Sequence, residues 1–111
     1  MDKDAQLDAA FSALAHPARR VILARLAKGE ATVNALAEPL DMSLQAVSKH
    51  IRVLENAGLI SRGRDAQFRP CSLRTDPLAV VANWTDQYRH IWDARFDVMS
   101  GILKTMKGKQ S

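Results

Sequence analysis

A single cysteine, Cys71, occurs among the 111 residues. It can close no disulfide within the chain and build no cysteine-rich zinc site, which excludes a stapled secreted scaffold and fits a reducing cytosol. No apolar run approaches the roughly 18 to 20 residues that span a bilayer, so no membrane partner is expected. Met1-Asp2-Lys3-Asp4 is acidic and leads into no long apolar stretch, so a secretory signal is not expected and a cytoplasmic location is. There is no glycine-rich phosphate loop, carboxylate pair or Cys-His constellation at a useful spacing. The chain is therefore expected not to be an enzyme, with no catalytic residues and no cofactor. Against these absences, hydrophobic residues make up 47% of the chain, enough for one packed domain and too many for a disordered one.

Sixteen Lys and Arg stand against twelve Asp and Glu, a net charge of +4. That excess has a location. Residues 1–43 carry five cations and six acids, and residues 75–111 carry five and four. Residues 44–74 carry Lys49, Arg52, Arg62, Arg64, Arg69 and Arg74 against only Glu55 and Asp65, a surplus equal to the whole net charge. Clustered cations are a footprint of phosphate binding, because each one placed on DNA releases condensed counterions. An ordinary solvated face is the other reading of the same cluster.

Leu7, Phe11 and Leu14 fall on one helical face and predict a first amphipathic helix within residues 1–15. Pro17 suits a first helical position, and Val21, Ile22, Leu23 and Leu26 carry a second helix to Lys28-Gly29, a basic last turn and a glycine stop. Thr32 is a good N-cap for a third helix with Val33, Leu36 and Leu40, kept short by Pro39. Asp41-Met42 predicts a tight turn. Ser43 then caps a fourth helix through Ala57, with Val47, Ile51 and Leu54 on its inner face and Gly58 at its end.

From Leu59 the pattern changes. Residues 59–64 and 68–74 predict two short strands joined at Asp65-Ala66-Gln67, and Pro70 marks an edge strand. Thr75 or Asp76 caps, and Pro77 opens, a last helix with no internal Gly or Pro before Gly101. Taken to Met106, its roughly 30 residues would extend about 45 Å, more than a domain of this size can cover.

Two short helices over residues 32–57, a tight turn between them and a basic hairpin over 59–74 are the parts of a winged helix-turn-helix. The expected fold is mostly α, with about five helices and a two-stranded wing, in one domain over residues 1–111. The second helix of such a pair enters the major groove, so its outer face must be short, polar and basic while its inner face is apolar. Ser43, Gln45, Ala46, Ser48 and Lys49 supply that outer face. Gln45 suits an adenine edge, Ser43 and Ser48 reach phosphate or base, and Lys49 and Arg52 neutralise phosphate. His50 either touches a phosphate beside Lys49 or packs near the wing. On the wing the candidates are Arg62, Arg64, Gln67 and Arg69.

The run Ala15-His16-Pro17-Ala18-Arg19-Arg20-Val21-Ile22-Leu23 and the longer run from Met42 through Val47-Ser48-Lys49-His50-Ile51 to Ile60 resemble the ArsR/SmtB type of bacterial transcriptional repressor. The resemblance covers roughly residues 6–105. It implies a homodimer formed by the first and last helices, 1–15 and 76–106, with two recognition helices on double-stranded DNA at an inverted-repeat operator. Leu7, Phe11 and Leu14 on the first helix, and Trp84, Tyr88, Trp92, Phe96 and Met99 on the last, are the implied interface. One departure is Leu44, where many members carry a DNA-contacting Gln. Leucine cannot hydrogen-bond, which moves base readout toward Gln45 and Ser48.

Better-known members of that family sense metals. The arsenic- and cadmium-type pattern has Cys-Val-Cys after Gly-Glu-Leu; the corresponding stretch here is Gly29-Glu30-Ala31-Thr32-Val33-Asn34, where Thr32 and Asn34 replace the thiolates. Neither is a competent soft-metal ligand. The zinc-type pattern needs Asp-x-His on the last helix and a further His about ten residues on, yet Asp86 is followed at that spacing by Tyr88, and His90 is alone in the segment. No metal site is expected.

Cys71, flanked by Arg69 and Arg74, is either a thiol of lowered pKa open to oxidation or a small strand residue that is partly buried. His16 reads as a cap or turn residue before Pro17. On the last helix, Trp84, Tyr88, Trp92, Phe96 and Met99 recur at intervals of four, four, four and three, a stripe that suits a core or a dimer seam. Arg89 and Arg95 flank it and are placed to pair with Asp93 or Asp97. This Trp-Tyr-Trp-Arg-Phe helix resembles a metal-independent branch of the family often encoded beside START-like (SRPBCC) proteins, which names no effector ligand. A sequence-specific dimeric repressor is thus the leading expectation. A winged helix reused as a protein-interaction module, and a repressor sensing thiol oxidation through Cys71, are the alternatives.

Overall fold

Short polar side chains start four helices by accepting hydrogen bonds from backbone N–H groups that a helix leaves unpaired at its N-terminus. Asp2 accepts from the Ala5 N–H at 2.7 Å and opens α1, Lys3–Leu14. His16 accepts from Ala18 at 3.2 Å and, with Pro17 in the first turn, opens α2, Pro17–Leu26. Thr32 accepts from Ala35 at 3.2 Å at the start of α3, Val33–Ala37. Ser43 accepts from Ala46 at 3.1 Å at the start of α4, Leu44–Asn56. The antiparallel strands β1, Ile60–Arg62, and β2, Cys71–Leu73, follow, then α5, Asp76–Asp86, and α6, Arg89–Gln110. These elements belong to a computed structural model that describes residues 2–64 and 69–110, without the side chains of residues 96, 97, 100 and 104–110.

The chain forms two compact units, Met1–Val81 and Ala82–Ser111. In the first, the inner face of α4 supplies Val47, Ile51 and Leu54, which pack with Ile22 and Leu26 of α2, Leu36 of α3, and Leu59, Ile60 and Cys71 around the hairpin. Each of the larger aliphatic side chains stabilises the fold by roughly 1.5–3 kcal/mol relative to exposure. Gly58, at φ +78°, turns the chain from α4 into β1, a backbone conformation that costs a side chain-bearing residue energy. The hairpin pairs Ile60 with Leu73, Ser61 with Ser72 and Arg62 with Cys71. It is tied to the helical core by a bridge in which Cys71 and Ala31 exchange N–H···O bonds of 2.8 and 3.1 Å. At Gly63 a Cβ would lie 3.0 Å from the Pro70 ring, so close approach holds the strand ends together there.

The mostly α architecture with a two-stranded wing matches the expectation from sequence. Two local expectations are corrected, and a third lies outside the described residues. The strands are shorter than 59–64 and 68–74; Pro70 precedes β2 and cannot donate to the ladder. The turn Asp65-Ala66-Gln67 and Phe68 lie outside the described residues. The single last helix over 76–106 is two helices, broken at Gln87–Tyr88 with neither Gly nor Pro present. Here Thr85 Oγ1 donates to the Ala82 carbonyl at 3.0 Å and Gln87 Nε2 to the Trp84 carbonyl at 2.8 Å. Tyr88 and Ile91 donate three residues back rather than four. Side-chain competition and a tightened turn interrupt the helical ladder.

Candidate nucleic-acid interface

Leucine, isoleucine and valine on the inner face of α4 fix which side chains turn outward. Leu44, Gln45, Ser48, Lys49 and Arg52 share one concavity of about 380 Å³ on the outer face. It has two exposed cations, an exposed amide and a half-buried hydroxyl, with no acid among its lining residues. Lys49 and Arg52 supply phosphate-directed charge, while Gln45 presents both an amide donor and an acceptor. Ser43 sits at the head of the helix; its oxygen is used as the cap, and its hydroxyl proton remains a donor. Ala46 is half-buried beside them.

Not every expected residue joins this face. Arg64 and Arg69 are exposed at the described ends of the wing, and Arg69 takes φ +35°. Gln67 lies outside the described residues. Arg62 is turned away: it is cross-strand from Cys71, its Nε is buried with no hydrogen-bond partner among the described residues, and it lines a separate groove with Glu55, Gln6 and Arg74. Arg74 is engaged with Asp76 at 3.0 Å.

His50 is held from behind. Its ring lies 4.4 Å from that of His16, the planes inclined at 49°, and its Nδ1 is 3.3 Å from Arg19 Nη1. A guanidinium only donates, so His50 Nδ1 is the acceptor and the ring is neutral in this arrangement. Burial, then the neighbouring His16, then Arg19 hold the His50 pKa below the ordinary imidazole value. Arg19 also donates through Nε to the Ala13 carbonyl at 2.6 Å and through Nη2 to the Ser12 carbonyl at 3.1 Å. One side chain on α2 thus ties the end of α1 to α4. Sequence reading passed over Arg19, since its partner His50 lies 31 residues away and no local spacing signals the contact.

Of the two readings of Cys71, the small strand residue fits the structure and the reactive thiol does not. Cys71 is fully buried, and burial pushes its thiol pKa up despite the nearby Arg62 and Arg69. Less thiolate and no solvent access are the opposite of a redox sensor's environment. His16 is a helix cap, as expected. No group of three or more metal-ligating side chains occurs among the described residues. Likewise, no helix among them is long and apolar enough to cross a membrane.

In the second unit, Trp84 and Tyr88 meet edge to face with centroids 5.4 Å apart. Tyr88, Ile91 and Trp92, with Thr85, line an apolar groove of about 310 Å³. Trp92 is 48% exposed and Met99 57%; the Phe96 side chain lies outside the description. Arg89 pairs with Asp86 at 3.0 Å rather than with Asp93. On α1, Ala10 and Ala13 are the buried residues, while Leu7 and Leu14 are half-buried and Phe11 is exposed.

Residues 14–62 match the helix-turn-helix domain family, a span that holds α2, α3, α4 and β1. The chain is 38% identical over 74 residues to the transcriptional repressor SdpR of Bacillus subtilis, covering 67% of this chain and 82% of that protein. It is also 38% identical over 94 residues to the nodulation protein NolR of Rhizobium meliloti, covering 83% and 77%. A crystal structure of an ArsR family transcriptional regulator superposes with a TM-score of 0.73 at 40% identity, over 79% of this chain and 97% of that one. With this likeness in both sequence and fold, the chain belongs to the ArsR family of helix-turn-helix transcriptional regulators.

Proposed function

We propose that the protein is a cytoplasmic dimeric repressor that binds an inverted-repeat operator and silences transcription by occupying it. The observation that carries this reading is the outer face of α4, where Gln45, Ser48, Lys49 and Arg52 share one concavity on a helix locked to the core from its other side. α4 enters the major groove. Gln45 and Ser48 read base edges, and Ser43, Lys49 and Arg52 hold phosphates. Arg64 and Arg69 add wing contacts to the backbone. Arg62, whose Nε is buried away from the outer face of α4, and His50, whose Nδ1 is held by Arg19, serve the fold rather than the DNA.

Dimerisation supplies the second half-site. Exposed Tyr88, Ile91, Trp92, Val98, Met99, Ile102 and Leu103 make a long apolar surface in residues 82–111, the kind that a second copy covers. Leu7, Phe11 and Leu14 contribute from α1.

A salt titration of binding, with a duplex enriched from a randomised pool, tests the reading. If each Lys49 meets one phosphate, a dimer of the Lys49→Ala variant loses two contacts, and the slope of log K against log salt becomes shallower by about 1.8. Gln45→Ala changes the preferred base instead and leaves the slope in place. Equal affinity for the enriched duplex and for random DNA, or a monomeric mass in light scattering, refutes the proposal.

A further inference from the structure

Leu44 is the first residue of α4, and its side chain is 51% exposed. It lies four residues before Ser48 and eight before Arg52, on the same outer face, and it lines the same concavity as Gln45 and Lys49. It is the single apolar side chain among the five that line that concavity. The buried face of the helix is Val47, Ile51 and Leu54, and Leu44 belongs neither to the core cluster nor to the side chains packed against it. Its helix propensity hardly exceeds that of Gln or Lys, so the backbone does not require it either.

Base edges in the major groove carry donors, acceptors and one apolar group, the C5-methyl of thymine. We propose that Leu44 is a specificity-determining residue that packs on a thymine methyl group, next to the base edge read by Gln45. The proposal rests on the DNA-binding reading given above. Leucine desolvates its own side chain and the methyl together, whereas a cytosine amino group or an adenine edge at that place loses water and gains no partner. The A·T preference of Gln45 and the thymine preference of Leu44 together predict an A·T-rich centre in each half-site.

The test uses the full-length protein and duplexes it enriches from a randomised pool. Each thymine of the enriched site is replaced singly by deoxyuridine, which removes only the methyl group. One position in each half-site then weakens wild-type binding about fourfold, the loss of one buried methyl contact. Leu44→Gln, an exposed and helix-compatible change, loses that sensitivity and enriches adenine at the position, while Gln45→Ala retains it. If no thymine responds to demethylation, or if Leu44→Gln enriches the wild-type sequence, the thymine contact is refuted while the DNA-binding reading stands. If no common sequence is enriched at all, both fall.

Discussion

Replacing Arg19 by Met isolates the bonds that this side chain makes, because the unbranched methionine retains most of the aliphatic stem and removes all three donors. The shortest, from Nε to the Ala13 carbonyl at 2.6 Å, is charge-assisted and part-buried. Bonds of that kind contribute about 1.5 kcal/mol at the low end of their range. The other two, to Ser12 at 3.1 Å and His50 at 3.3 Å, are exposed or long and together add about 0.5 kcal/mol. The Ser12 carbonyl keeps a second donor, the Ala15 N–H, so its loss is small. A destabilisation of about 2 kcal/mol follows, or a drop in Tm of about 10 °C for a domain of this size. Lysine at position 19 retains the charge but not the fork, and a single ammonium cannot reach three acceptors on two helices, so Arg19→Lys recovers less than half. Urea unfolding followed by circular dichroism measures this, at one protein concentration, since a dimer's stability varies with concentration. A loss below about 0.5 kcal/mol for Arg19→Met, or full recovery by Lys, refutes the clamp.

The depressed His50 pKa makes stability depend on pH with a definite sign: the unfolded chain takes up the proton at a higher pH than the folded one, so stability falls as pH drops through about 6.5 and is unaffected above it. Unfolding titrations at about pH 7.5 and about pH 5.5 show a smaller acid loss for His50→Asn than for wild type; equal losses refute the assignment. Gly58→Ala places a side chain at φ +78°, with its Cβ in ordinary contact at 3.4 Å from Pro77, so the penalty is conformational, about 1–2 kcal/mol. Denaturant midpoints measure it, and an unchanged midpoint is inconsistent with the left-handed turn.

Much of the fold was legible because it depends on short-range signals. Thr32 and Ser43 announce helix starts by chemistry that acts three residues away, and the spacing of Val47, Ile51 and Leu54 fixes which side of α4 is buried. The outer face is then what remains, which is why Gln45, Ser48, Lys49 and Arg52 are legible there from spacing alone. Features that rest on distant partners were not legible. Arg62 stands two residues before the exposed Arg64, yet the cross-strand pairing puts it beside Cys71, and only the register reveals that. The Ala31–Cys71 bridge spans 40 positions and decides between the two readings that the flanking arginines leave open, by burying the thiol completely. The break at Gln87–Tyr88 carries no Gly or Pro signal, because the interruption comes from Thr85 and Gln87 bonding to nearby carbonyls.

Helix α6 connects these local effects to assembly. It runs 22 residues, and every one of its described side chains is exposed. Most helical stability in proteins comes from packing an apolar face rather than from intrinsic propensity. Val98 at 63% exposure, with Ile102 and Leu103 nearby, therefore needs a covering surface to hold the helix in place. If the second copy supplies that surface, folding of residues 89–110 and dimerisation are one equilibrium, and helical content must fall on dilution through the dimer dissociation range. The aromatic end carries part of the same burden, so Trp92→Ala shifts that transition to higher protein concentration while leaving the core of residues 1–81 with its native unfolding midpoint. Helicity that stays constant on dilution while the mass halves separates the two processes and refutes the coupling.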